Sequence, residues 1–318
     1  MTYYFLRRLS QTFLVLITMS FIIYFLIGLM PGDPIDIMVQ SDPNLTTEDA
    51  ARLKANYGLD QPLINRYWEW LNSAAKGEFG YSRIHNKPVL EILIPRLWNT
   101  FLLMGSSLLL ALILAIPAGI WAATRPGSRI DFTINMFALG GASIPIFWLG
   151  LLLIVVFSVW LEWLPASAMY EQDSGIVERI QHLVLPVLAL AVATTGQLTR
   201  HMRAAMIEAL GQDYIRTARA KGLRSRKIVV RHALPNAMMP VITVVTLSFG
   251  SLFSGALITE TMFSYLGTGK LIFDSIMGND YNMALVSLLF ATVLVLFGNF
   301  IADILYAQFD PRVSYDPR

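Results

Sequence analysis

The sequence predicts an all-α membrane protein with six transmembrane helices, cytoplasmic N- and C-termini, and a small extracytoplasmic cap after the first helix. Three observations predict it. Over 318 residues, 55% are hydrophobic, only 14% are charged and the mean hydropathy is +0.55, far from an ordinary soluble domain. Six apolar stretches approach the roughly 20 residues that a helix needs to cross the hydrocarbon core. Lys and Arg concentrate in alternate short loops, which fixes orientation.

The first span, Thr12–Met30, follows Arg7 and Arg8. It is longer than the apolar core of a signal peptide and lacks a small-x-small cleavage site before Pro31, so it reads as a retained anchor. Pro31–Trp98 is the one long polar segment and forms the cap. There Thr46 or Thr47 can N-cap a helix with Glu48 and Asp49 in its first turn. Tyr67, Trp68 and Trp70 suit either the membrane interface or packing within the cap. The remaining spans are Thr100–Ala123, Ile134–Trp160, Leu183–Leu198, Ala237–Ile258 and Met283–Ala302. The fourth is short, with Pro186 near its start, and borrows the turn from Thr199 onward. Pro117, Pro145 and Pro240 lie inside spans and read as kinks rather than gating hinges. The chain therefore divides into residues 1–30 (tail and first helix), 31–98 (cap) and 99–318 (a five-helix core containing the basic loop 200–235).

Orientation follows from charge. Arg7, Arg8, Arg125, Arg129, the nine Lys/Arg of Arg200–Pro235, Arg312 and Arg318 share one side. The opposite loops Leu161–Gln181 and Thr259–Asn282 hold one basic residue each, Arg179 and Lys270, against four and three acidic ones. The basic side is expected to be cytoplasmic.

Much chemistry is excluded. There are no cysteines, hence no disulfide, thiolate nucleophile or Cys-based metal site. His85, His182, His201 and His232 show no metal-ligand spacing, so no metal is expected. The nearest string to a phosphate-binding loop, Leu266-Gly267-Thr268-Gly269-Lys270-Leu271, lacks the leading glycine and the final hydroxyl, and falls on the outer side. No HExxH or GxSxG occurs, and no acidic pair lies inside a span. The spans read as almost charge-free: Glu260 lies just beyond the outer end of the fifth and Asp303 at the cytoplasmic end of the sixth, both within reach of the interface. An ion-coupled secondary transporter should carry more buried charge than this.

Energy must then enter from another protein, and the loop Arg200–Pro235 is the place. Its nine Lys/Arg against Glu208 and Asp213 suit any positive-inside loop or an anionic lipid surface. Its layout is more specific. Asp213 can N-cap a short helix, Tyr214 to Lys221 are good helix formers, Gly222 can end it in the left-handed conformation, and Leu234-Pro235 starts the next element.

At these residues the chain resembles the inner-membrane permease subunits of binding-protein-dependent ABC importers. The family's cytoplasmic motif is Glu-Ala-Ala, three residues, Gly, nine residues, then Ile-x-Leu-Pro. Aligned on Gly222, this chain reads Arg216-Thr217-Ala218, Arg219-Ala220-Lys221, Gly222, nine residues, then His232-Ala233-Leu234-Pro235. Arg216, Thr217 and His232 depart from the general pattern, but RTARAKGL resembles the oligopeptide/dipeptide branch. So do Met30-Pro31-Gly32-Asp33-Pro34, Tyr57 to Leu63, Gly77-Glu78-Phe79-Gly80, Arg231 to Leu234, Thr259 to Phe263 and Asp303 to Arg312, over nearly the whole chain and in the manner of the first (B-type) of two paired permeases.

The resemblance implies a second homologous permease, two cytoplasmic ATPases that bind ATP and Mg, and an extracytoplasmic solute-binding protein, in a bacterial inner membrane. It implies no cofactor on this chain, no enzyme activity and no nucleic-acid partner; membrane lipid is its solvent. Asp213, Tyr214, Arg216 to Gly222, Leu234 and Pro235 would form the ATPase-coupling element. Short peptides are the expected cargo, with oligosaccharides, opines, glutathione and nickel chelates as alternatives in this branch; the substrate-binding residues are not identified by the sequence. One outer string departs from the family: Tyr265-Leu266-Gly267-Thr268-Gly269-Lys270 stands where Trp-Pro-Gly-Leu-Gly-Arg is usual, and Asn282 replaces a proline. Drift in a glycine-bearing loop explains this, as does an outer gate or binding-protein contact at Tyr265 to Gly269.

Overall fold

In the computed structural model, residues 2–29, 61–169, 175–247 and 249–309 are described. The expected cap helix at Thr46 or Thr47 with Glu48 and Asp49, the string Met30 to Pro34 and Tyr57 to Asp60 lie outside them, as do Arg312 and Arg318. The described chain is helical: α1 Thr2–Gly28, α2 Leu63–Ala75, α3 Val89–Thr124, α4 Arg129–Ser143, α5 Ile146–Leu153 with a π-helical continuation Ile154–Trp160, and α6 Ile176–Leu210. Then come α7 Asp213–Ala220, α8 Ser225–Ile228, a π-helical turn Val229–Ala233, α9 Leu234–Leu247, α10 Phe249–Met262, α11 Thr268–Met277 and α12 Tyr281–Phe309. Among the described residues, five helical stretches are long and apolar enough to cross a membrane, or six if the bent pair Arg129–Ser143 and Ile146–Trp160 counts as one span.

Two compact units are present. The first comprises Met1–Trp98 and Gly267–Leu296. Here α2 lies along α1. Tyr67 is buried, its ring meets Phe21 and Tyr24 edge-on, and its hydroxyl is 2.9 Å from Ser20 Oγ. Trp68 is exposed, so of the two sequence readings for these aromatics, packing suits Tyr67 and the interface suits Trp68. Asp280 caps α12, its carboxylate accepting from Met283 N and, from 198 and 196 residues earlier in the chain, from Ser82 Oγ and Ile84 N. Asn282, the residue that replaces a proline, donates to Phe79 O (2.9 Å) and Tyr81 O (3.0 Å) around Gly80. A proline could make neither bond.

The second unit comprises Asn99–Leu266 and Phe297–Arg318. The third span is not a kinked helix over Ile134–Trp160. It starts earlier, at Arg129, and breaks at Ile144-Pro145 with a bend of 102°. Ile144 adopts an extended conformation (φ −79°, ψ 126°) and Pro145 opens the next helix, because proline pushes the residue before it out of the helical region. The fourth span is long rather than short: α6 runs 35 residues with Pro186 inside it and buried. The expected fifth span, Ala237–Ile258, falls across α9 and α10, and the spanning stretch is Ser225–Thr246. Consequently Glu260 sits near the C-terminal end of α10, where it is fully buried.

Helices α4 and α6 pack closely because Gly141 and Gly196 permit it, Gly196 the more tightly. A β-carbon on Gly196 would overlap the Ala138 carbonyl oxygen, whereas one on Gly105 of α3 meets nothing within 4 Å. Gly196→Ala is expected to destabilise the protein by about 1–3 kcal/mol through overpacking, and Gly105→Ala to be neutral or to stabilise it by up to about 1 kcal/mol. Thermal unfolding of the two variants in detergent checks the contrast.

Candidate coupling site

The expected basic loop is not one loop. Arg200–Leu210 is the end of α6, and Ser225 onward belongs to the next transmembrane helix. Between them stands α7. Its N-cap is Gln212, in an extended conformation with no side-chain cap; Asp213 is instead the first helical residue. That corrects the expected cap by one position, yet keeps a carboxylate in the first turn, where the helix dipole favours it. Asp213 also pairs with Arg216 at 3.3 Å, both side chains largely exposed, an arrangement that contributes little to stability.

The exit of α7 is a Schellman motif. Gly222 N donates to Arg219 O (2.9 Å), Leu223 N donates to Ala218 O (3.3 Å), and Gly222 has φ +72°. Only glycine adopts this conformation without strain. Along α7 just two residues are buried, Ile215 (0% exposed) and Ala218, three apart and therefore on one face. They join a core with Met202, Ala205, Met206 and Ala209 of α6, and with Ile228, Ala233, Ala237 and Val241 of the next helix. Tyr214, Arg216, Thr217, Arg219, Ala220, Lys221 and Gly222 are all exposed. The helix is thus glued by one apolar edge and presents three cations outward.

Leu234 packs against the same core, while Pro235 is exposed and does not start the helix as expected. The helix begins ten residues earlier, and the π-helical turn Val229–Ala233 immediately precedes the Leu-Pro pair. A proline within a helix forfeits one hydrogen bond and crowds the carbonyl four residues back; widening the preceding turn relieves both.

A charged site unforeseen in the sequence lies beside this core. Asp131, in the first turn of α4, is buried, and Arg203 of α6 grips it bidentately, Nε to Oδ1 at 2.5 Å and Nη2 to Oδ2 at 2.7 Å. Gly127 N and Asn135 Nδ2 also donate to the carboxylate, at 2.9 and 2.7 Å. Ser128 caps α4 by accepting from Asp131 N. A second carboxylate buried near a helix end is Glu260, which accepts from Thr100 Oγ1 at 2.6 Å. The local sign was available: Ser128-x-x-Asp131 has the spacing of a capping box. Its partner, 72 residues on, was not.

The outer string from Tyr265 to Gly269 divides between the units. Tyr265 follows the turn that ends α10, in which Ser264 has φ +53°. It is buried, its N–H donates to Glu260 O and its hydroxyl to Asn99 O at 3.0 Å, while Asn99 Nδ2 donates to Leu266 O. A tryptophan has no hydroxyl to make the second bond. Gly267, Thr268 and Gly269 open α11 in the first unit and are buried.

Residues 115–315 match the family described as "binding-protein-dependent transport system inner membrane component", and residues 1–104 match its N-terminal membrane component. The chain is 40% identical to the oligopeptide transport system permease protein AppB of Bacillus subtilis, over 99% of this chain and 100% of that one. It is 33% identical to the dipeptide transport system permease protein DppB of Escherichia coli, over 99% of each. Among solved structures it resembles a chain of the MetNI methionine ABC transporter in inward-facing conformations, with TM-score 0.57, 18% identity, and coverage of 70% of this chain and 98% of that chain; this likeness concerns the fold.

Ile215 is the anchor of α7. Ile215→Ala is expected to weaken its seating by about 2–5 kcal/mol, so that amides 213–223 exchange hydrogen much faster while those of α6 keep their protection. Hydrogen exchange read by mass spectrometry decides the point, and unchanged exchange in α7 would contradict the anchoring.

Proposed function

Because this chain belongs to the family of binding-protein-dependent transport system inner membrane components, we propose that it is the B-type permease subunit of an ATP-driven importer of short peptides. It is a multi-pass protein of the inner membrane. Its basic end faces the cytoplasm, and a second homologous permease stands beside it to complete the path. Two ATPase subunits hold ATP and Mg on the cytoplasmic side; this chain contributes no residue to hydrolysis. An extracytoplasmic binding protein delivers the peptide.

The observation that carries this reading is α7, a short helix whose Ile215 and Ala218 are buried in one core with residues of the helices before and after it, while its remaining side chains are exposed. Such an element transmits force: closure of the ATPase pair displaces it as a rigid body, and the helices it is seated on rock with it. Arg216, Arg219 and Lys221 supply charge complementary to an acidic groove. Tyr265 to Gly269 are proposed as an outer gate or a binding-protein contact.

Gly222→Val forces a β-branched residue into the left-handed region, a strain of about 1–2 kcal/mol that shifts a two-state equilibrium roughly 5–30-fold. In proteoliposomes with all partner subunits, insertion is expected to be normal and ATP hydrolysis to persist, while uptake of a labelled tripeptide falls by about that factor. Normal uptake would overturn the coupling role. Uptake of an oligosaccharide, opine, glutathione or nickel chelate in place of the tripeptide would retain the machine and replace the cargo.

A further inference from the structure

We infer that Asp131 and Arg203 form a strut that locks α4 to α6, so that α4 travels with the coupling helix α7 as one body whose far end is the break at Ile144-Pro145. This rests on reading α7 as the coupling element.

The argument lies in the two faces of α6. Met202, Ala205, Met206 and Ala209 follow the three- and four-residue spacing of one helical stripe and seat α7. Val192, Gly196 and Arg203 lie on a second stripe, and this one meets α4. A β-carbon on Gly141 would touch Val192, one on Gly196 would overlap Ala138, and Arg203 grips Asp131. The three pairs 141 with 192, 138 with 196 and 131 with 203 descend one helix as they climb the other, so α4 and α6 are antiparallel and in register along this seam. Backbone contact at Gly196 resists approach and separation there, but contact alone does not stop one helix from sliding or rotating past the other.

The strut does. A forked guanidinium on both carboxylate oxygens fixes distance and angle together. The carboxylate is itself fixed to α4 by Gly127 N and Asn135 Nδ2, so its four donors leave it no alternative orientation. Asp131 and Arg203 are therefore positioning residues. They act at the end of α4 near the basic turn, and α4, 15 residues long and so about 22 Å, carries the displacement to Ile144, where the chain leaves the helix and turns through 102°.

The chain has no cysteine, so spin labels can be placed without background. Met136→Cys on α4 and Glu208→Cys on α6, both exposed, would be labelled in the transporter assembled with its partners in nanodiscs. Their distance distribution would be measured by pulsed electron resonance without nucleotide and with ATP plus vanadate. One narrow distance, equal in both states, is expected; a shift between states in the otherwise unaltered chain would overturn the inference before any strut variant is made. In Asp131→Asn the distribution should broaden, and binding-protein-stimulated ATP turnover should lose about tenfold of its coupling to uptake of the labelled tripeptide, within the usual range of coupling factors. Arg203→Gln and the double variant should lose the same factor, since one strut is removed each time. Additive losses, or a distance as narrow as in the parent, would also overturn it. Normal uptake in Gly222→Val would remove the coupling role of α7 while leaving the label distances as expected, so the two failures are separable.

Discussion

Hydrocarbon offers no hydrogen-bond partners, so a carboxylate drawn into this fold is stable only where the fold itself supplies donors. Asp131 shows what that demands. Its carboxylate takes four donors from three separate segments: the turn before α4, the next turn of α4, and α6. Asp280 does the same in the first unit, holding the Ser82 loop against the start of α12. Glu260 draws Thr100 to it in the second. Each of these groups is costly to bury, and that cost makes the arrangement unique: a slipped register would leave a carboxylate without donors, which few other contacts could offset.

Satisfied charges decide how the apolar surfaces meet. Close packing between α4 and α6 uses a glycine on one side and backbone on the other, a device suited to membranes, where small residues let helices approach. It needs correct register, and the ion pair supplies it. The helix α6 then serves both neighbours, holding α4 by one stripe and α7 by the next.

Local features were legible in the sequence and non-local ones were not. Gly222 announced a left-handed helix end because the signal is a single residue's conformational freedom. The apolar runs announced spans, but not their ends. α6 continues to Leu210 because Met202, Ala205, Met206 and Ala209 extend its buried stripe among polar neighbours, which lowers mean hydropathy without ending the helix. Pro145 carries a readable rule, that the residue before it leaves the helix, and here the rule yields a break at Ile144 rather than a kink. Asp131 and Glu260 were missed for a different reason. Whether a carboxylate reaches water or is buried depends on partners distant in sequence, here Arg203 and Thr100. Asn282 stood out as a departure, yet its bonds to the Gly80 turn could not be inferred from it.

The π-helical turn Val229–Ala233 gives the segment between Gly222 and Pro235 the character of an angular gauge. Each residue of an α-helix turns the chain by about 100°, and a π turn holds one residue more than its α counterpart. The number of residues between the glycine that ends α7 and the Leu-Pro pair therefore sets which face of α9 meets the anchor of α7. Ile228 and Ala233 are buried in that shared core, and so are Ala237 and Val241 beyond the proline. Were the same residues wound as an α turn, Ile228 would lie about 140° around the helix from Ala233 and leave the core while Ala237 and Val241 stayed. The fixed spacing is thus a condition on rotation more than on length, and the motif measures a direction.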